Sequence, residues 1–334
     1  MIELSELRDA ASKAFPRDAL VPDRDASWKL AAEMGWLMIE LPEEQGGLGL
    51  GRSASAAIHF ELGRALSSAP LIPALLGLQA IAASPVLADR EAWVERLCGG
   101  EYVPLHLLPS SLERDASGAL TGTVAGVFDA DMASHVVVGT AGLYVLVPVD
   151  APGVALVERT IWDKSRRLFD LQLNGFVPEL IVAEGPAAAA LHDRISPGAQ
   201  IALAAESLGG ANAALDMTVE YLKMRRQFDR PLAMFQALKH RCADLKIRIE
   251  VAEALLWSRA ADERSSIVDL GAMKALANEV YIAVVEEAVQ LHGGIGLTHE
   301  HQCHLFLKRA MLNAQLCGGT DHWQEAAGRQ ALAA

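Results

Sequence analysis

The sequence predicts a mostly helical α+β chain in three parts: a helical region over residues 1–102, a small β-barrel or sheet over 103–185, and a four-helix bundle over 186–334. Three observations carry that expectation. Apolar residues recur at steps of three and four at both ends of the chain. Short β-branched runs are confined to the middle, and glycine breaks (Gly99-Gly100, Gly185-Pro186) stand near both junctions. The composition agrees: 51% of the 334 residues are hydrophobic but only 5% aromatic, so the core is mainly Ala, Leu, Val and Ile, which suits helix packing.

In the first part, Trp28, Ala31, Ala32 and Gly35-Trp36 keep helical spacing until Leu41-Pro42 and the run Glu43 to Gly49 interrupt it. Ile58, Leu62 and Ala65 start a second helix, with Glu61 and Arg64 on its polar side, and a third fits Asp89 to Leu97. The stretch from Ala65 to Ala88 carries no formal charge and is long enough to cross a bilayer. Pro70, Pro73 and Pro85 would break such a span, so it reads as a buried helix pair. In the middle part, Val136-Val137-Val138 and Leu143 to Val147 are strands, separated by turn chemistry such as Val149 to Gly153. In the last part, Leu238, Cys242, Leu245, Ile249, Ala252 and Leu256 form one seam, and Leu276, Val280, Val284, Ala288 and Leu291 another.

Several function classes drop out. A net charge of −13 disfavours nucleic acid or an anionic membrane as the main partner, while leaving room for a local basic pocket. The first residues are acidic and lack the basic start and apolar run of a signal peptide, so a cytoplasmic protein is expected. Cys98, Cys242, Cys303 and Cys317 are scattered and read as reduced thiols. The clusters Gly46 to Gly51 and Gly293 to Gly296 lack dinucleotide-fingerprint spacing and read as helix-ending turns. His299 to His304 has ligand-type residues, but no second cluster accompanies it, so no metal site is expected. No Gly-x-Ser-x-Gly elbow supports a hydrolase.

The segment Tyr221 to Leu232, followed by Phe235-Gln236, carries more. Its plain reading is a helix ending near Phe228, with basic residues at the negative end of its dipole and Pro231 stopping it. A functional reading has Arg225 meeting a phosphate while Gln227 and Phe228 touch an aromatic ring system. Four ordered segments together resemble the acyl-CoA dehydrogenase family. They are Leu30 to Glu43 with Gly46-Gly47-Leu48-Gly49, then Glu61-Leu62-Gly63-Arg64, then Tyr221 to Gln236, then Gln290 to Gly296 with Glu300. The resemblance covers most of the chain, although the middle third matches only in texture.

That resemblance implies FAD bound between subunits, an acyl-CoA substrate and electron-transfer flavoprotein as electron acceptor. It implies that Arg225, Gln227, Phe228, Phe235 and Gln236 touch a neighbour's FAD, that Gln290, Gly293 and Gly294 face its adenosine diphosphate part, and that Thr320 of the Gly-Thr pair belongs to the same site. The family's reaction is α,β-desaturation of an acyl-CoA, with a glutamate removing the α-proton. At the family's position for that base this chain has Gly318 or, counted without gaps from Gln290, Cys317. At the alternative position, on the bundle's first helix, it has Ala199 or Gln200, and Glu206 lies about 10 Å further along. The family's flavin-packing segments of the middle domain, Thr-Glu-Pro…Gly-Ser and Trp-Ile-Thr/Ser, are missing around Leu107 to Arg114 and Val127 to Ser134. The resemblance therefore implies a non-catalytic partner in a mixed dimer or α2β2 tetramer with a glutamate-bearing homologue. Some steroid-degrading bacterial assemblies of this family are built so. A homo-oligomer with a displaced base, or a scaffold without activity, are the alternatives.

Overall fold

Helix α3 (Gly51–Arg64) and helix α6 (Pro186–Met224) touch backbone to backbone. A Cβ on Gly63 would stand 2.0 Å from the Glu206 carbonyl oxygen, and one on Gly209 would stand 1.9 Å from that of Phe60. Each helix thus places its glycine against the other's carbonyl, and no larger residue fits. The computed structural model describes residues 3–140 and 142–333. They form two units, each interleaving distant segments: one takes the chain up to Pro22, Arg52–Ser67 and everything from Gln200 onward; the other holds Asp23–Gly51 and Ser68–Ala199.

The first unit is the helix bundle. Around α3 and the later part of α6 it gathers α1 (Leu4–Ala14), α7 (Gln236–Ala261), α8 (Ile267–His292), α9 (Cys303–Asn313) and α10 (Thr320–Ala333). The α7 seam is buried at Leu245, Ile249, Ala252 and Leu256, and Val280, Val284 and Val285 of α8 belong to the same core. Ser266 caps α8 in a capping box with Asp269, satisfying donors that a helix start leaves open. The sequence places Glu61 and Arg64 on a polar helix face, but both are buried. Arg8 reaches Glu61 at 2.9 Å and Arg64 reaches Asp216 at 2.7 Å, so each buried charge is compensated by a more exposed partner on α1 or α6. The Glu61-Leu62-Gly63-Arg64 motif is therefore a packing device.

The second unit holds α2 (Arg24–Glu33), α4 (Leu71–Ala82), α5 (Arg90–Cys98) and two antiparallel sheets. One sheet has β1 (Ser111–Arg114), β2 (Leu120–Phe128), β6 (Leu168–Phe176) and β5 (Val154–Arg159), in the order β1-β2-β6-β5. The other is β3 (His135–Thr140), β4 (Leu143–Pro148) and β7 (Leu180–Glu184), in the order β3-β4-β7. Val124, Val127 and Leu171 of the first sheet share one core with Val136, Val138, Val145 and Val147 of the second. The expected helix pair over 65–88 is a single helix, α4. Pro70 stands just before it, Pro73 occupies its first turn, where no backbone N–H is needed, and Pro85 lies beyond its end. Among the described residues no helix is long and apolar enough to cross a membrane.

Candidate functional site

The basic segment does not stay helical to Phe228. Helix α6 ends at Met224, and the chain then folds into a hairpin of β8 (Arg226–Gln227) and β9 (Arg230–Pro231), so Pro231 pairs in a strand and does not end a helix. Phe228 and Asp229 take φ of 51° and 62°, the left-handed pair that a two-residue hairpin requires. Phenylalanine is a poor residue there, and this one is 84% exposed. Its ring meets Phe235 edge-on at 6.1 Å, and the Arg230 guanidinium sits 4.0 Å over Phe235. Lys223, Arg225, Arg226 and Arg230 make this tip locally basic in an acidic protein, and Arg225 and Gln227 are exposed. Among the described residues the Arg225 guanidinium has no ion-pair partner. Phe235 caps α7 and Gln236 is its first residue.

Gln290 is exposed on the last turn of α8, and Gly293 follows at φ 67° and ψ −149°, a conformation reserved for glycine. Added Cβ atoms on Gly293 or Gly294 would meet nothing within 4 Å, so the backbone here is open to a ligand. The hairpin and this glycine pair are linked, because the Tyr221 hydroxyl donates to the His292 carbonyl at 3.2 Å. Of the histidine segment only Cys303 and His304 lie on a helix, since α9 starts at Cys303. His299 and His301 are in the preceding turn, so they share no helical face with Cys303 or His304.

The two positions at which the resemblance implies a base converge. Gln200 on α6 donates through Nε2 to the Cys317 carbonyl at 3.0 Å, in the turn between α9 and α10. Trp323 Nε1 donates to the same oxygen at 3.1 Å. Lys274, fully buried on α8, donates to the carbonyls of Leu316 and Gly318 at 2.6 and 2.7 Å. Three successive carbonyls are thus held by buried donors. Cys317 and Gly318 both have positive φ, and a Cβ on Gly318 would meet Trp323 Nε1 at 2.7 Å. Burial pushes the Cys317 thiol up to about 11, so it is protonated at neutral pH and is no base. Burial pushes Lys274 down to about 8. Thr320 opens α10. Glu206 accepts from Arg309 Nη1 at 2.7 Å in a buried ion pair, which makes it a structural group. Sequence reading passed over Lys274 and Trp323. A lysine inside the apolar α8 stripe beside Met273 and Ala277 was the available signal.

Where the middle part lacks a Trp-Ile-Thr segment, the turn after β2 carries Asp129, buried and at φ 46°. Arg24 Nη1 reaches Asp129 at 3.2 Å and Asp131 at 2.8 Å. Burial raises the Asp129 carboxyl to about 6, against the pull of Arg166 and Arg24. A carboxyl raised on folding binds its proton more tightly in the native state, so its ionisation opposes folding as pH rises through 4 to 6. Wild type therefore gains stability relative to Asp129→Asn as pH falls from 7 to 4, by at most about 3 kcal/mol. Melting curves of both proteins at the two pH values check this, and a gap moving the other way would refute it.

The helical, β, helical architecture with its bundle shares the fold of butyryl-CoA dehydrogenase from Megasphaera elsdenii, which matches with a TM-score of 0.84 over 99% of both chains at 21% identity. A variant of the Tcur3481-Tcur3483 steroid ACAD matches with a TM-score of 0.86 at 30% identity over 99% of each chain. Residues 5–101 match the family model for the acyl-CoA dehydrogenase N-terminal domain, and residues 198–332 match that for the C-terminal domain. Acyl-CoA dehydrogenase IpdE2 of Mycobacterium tuberculosis is 36% identical over 312 residues, covering 92% of this chain and 87% of that protein. The chain belongs to the acyl-CoA dehydrogenase family, whose members are FAD-dependent oxidoreductases acting on the CH–CH bond of an acyl-CoA.

Proposed function

We propose that this chain is the non-catalytic subunit of a hetero-oligomeric acyl-CoA dehydrogenase, lending FAD contacts to an active site whose base belongs to a homologous chain. One contrast carries the reading. The turn at 316–319 holds no carboxylate and is closed by Trp323 and Lys274, whereas the Arg225 hairpin and the Gly293-Gly294 backbone stand open.

FAD, when bound, supplies the hydride acceptor. On this chain Arg225, helped by Lys223, Arg226 and Arg230, neutralises the pyrophosphate. Gly293 and Gly294 let the backbone approach it, and Gln290 and Gln227 provide amide donors and acceptors. Phe228 offers its ring at the hairpin tip, with Phe235, Gln236 and Thr320 completing the set. Met224, Phe228, Met234, Ile247, Val251 and Leu297 are large apolar residues from 57% to 84% exposed, which suits burial against a second chain. Mixed assembly also fits the ChsE4-ChsE5 complex of Mycobacterium tuberculosis, which shares the fold with a TM-score of 0.84 at 24% identity. A bulky, steroid-type acyl-CoA is the substrate class that the Tcur3481-Tcur3483 relative suggests.

The chain is expressed alone and together with a glutamate-bearing homologue, and visible spectra and acyl-CoA-dependent dye reduction are recorded. The expected result is a colourless lone chain and a yellow, active complex, with flavin lost from the complex on Arg225→Ala. A lone chain that carries flavin and reduces the dye would sink the proposal.

A further inference from the structure

The two segments given FAD contacts above come from different helices, and something must hold them in register. A stack of three rings does so. Tyr221, one turn before Arg225, lies flat on His292 with centroids 4.4 Å apart and planes 29° apart. His301 packs on His292 at 4.3 Å and edge-on to Tyr221 at 5.9 Å. Each ring belongs to a different stretch: the end of α6, the end of α8 and the turn before α9.

The stack fixes backbone on both sides. The Arg225 amide donates to the Tyr221 carbonyl at 2.8 Å, so the hairpin starts one hydrogen bond from this ring. The Tyr221 hydroxyl holds the His292 carbonyl, which is the peptide bond leading into Gly293. That peptide plane sets the direction of the amides after it, where Gly293 has its glycine-only conformation. His292 Nδ1 lies 2.7 Å from the Ala288 carbonyl and so carries the proton, and the Cys303 amide donates to His301 Nδ1 at 3.2 Å, which leaves that nitrogen unprotonated. His301 is thus held as a neutral ring, and burial lowers the affinity of both imidazoles for a second proton.

We infer that Tyr221 and His292, braced by His301, are positioning residues that fix the Arg225 hairpin against the Gly293-Gly294 backbone, so that both grip one nucleotide diphosphate. This rests on the FAD reading given above. It differs from that reading in assigning function to residues that touch no ligand.

The test titrates FAD, and separately ADP, into flavin-stripped complex of the full chain with its homologue, and records melting temperature alongside. Tyr221→Phe keeps the ring and removes one hydrogen bond, so it weakens FAD and ADP binding roughly three- to ten-fold. Tyr221→Leu and His301→Ala remove ring contacts and weaken binding by more than roughly ten-fold, so Tyr221→Phe, which keeps the ring, loses less than Tyr221→Leu. Arg225→Ala is the control for the site itself. If Arg225→Ala weakens binding while Tyr221→Phe, Tyr221→Leu and His301→Ala bind as wild type, the positioning role is wrong even where melting temperatures fall. If Arg225→Ala leaves FAD and ADP binding unchanged, the nucleotide reading fails and the positioning role falls with it.

Discussion

Arg309→Met lowers the free energy of unfolding by about 3–5 kcal/mol, the range for breaking a buried ion pair by removing one partner. Arg309 is 1% exposed and Glu206 3% exposed, and their charged atoms meet at 2.7 Å. The same guanidinium also donates to the Ser67 carbonyl at 3.3 Å from both terminal nitrogens. Methionine fills a similar volume, so the loss comes from a carboxylate deprived of its counter-charge inside the bundle. Arg309→Met combined with Glu206→Met removes both charges and recovers much of the stability, because desolvating an ion pair offsets most of its attraction. Urea denaturation of wild type, single and double variants decides it. A single variant within 1 kcal/mol of wild type would show that solvent or another group takes over the pairing.

Gly209→Ala destabilises by about 3 kcal/mol or more, although alanine is the better helix former. At an open helical position the exchange gains up to about 1 kcal/mol, and Gly328 in α10, whose added Cβ meets nothing within 4 Å, provides that control. At Gly209 the new methyl would lie 1.9 Å from the Phe60 carbonyl oxygen, so α3 and α6 must separate. Separation loosens the reciprocal contact at Gly63 and the apolar core around Phe60, Ala205 and Leu208. The two alanine variants should therefore shift the thermal midpoint in opposite directions. Matching shifts would mean that the helix contact is looser than the backbone distances require.

Much of the fold was legible because it rests on local periodicity. The α7 seam from Leu245 to Leu256, the valine runs of β3 and β4, and the α6 start at Pro186 follow from spacing and turn residues that lie close in sequence. Family motifs in four segments were legible for the same reason. Misreadings arose where a distant partner decides. Glu61 and Arg64 look like surface charges, but they are buried with their charges paired to Arg8 and Asp216, far apart in the chain. The helix through Arg225 stops early because Phe228 and Asp229 turn left-handed to pair Gln227 with Arg230, a choice that phenylalanine does not signal.

The sequence alone determined the order of helical and β parts, the acyl-CoA dehydrogenase likeness and the absence of a carboxylate from 316–320, since these depend on residue identity and near neighbours. Only the tertiary structure decided that Gln200 and Cys317, far apart in the chain, are the same place, and that Lys274 and Trp323 close it. It alone joined Tyr221 to His292 and paired Glu206 with Arg309. These contacts form when long helices fold back on one another, and their energy comes from burying polar groups together, which no local pattern records.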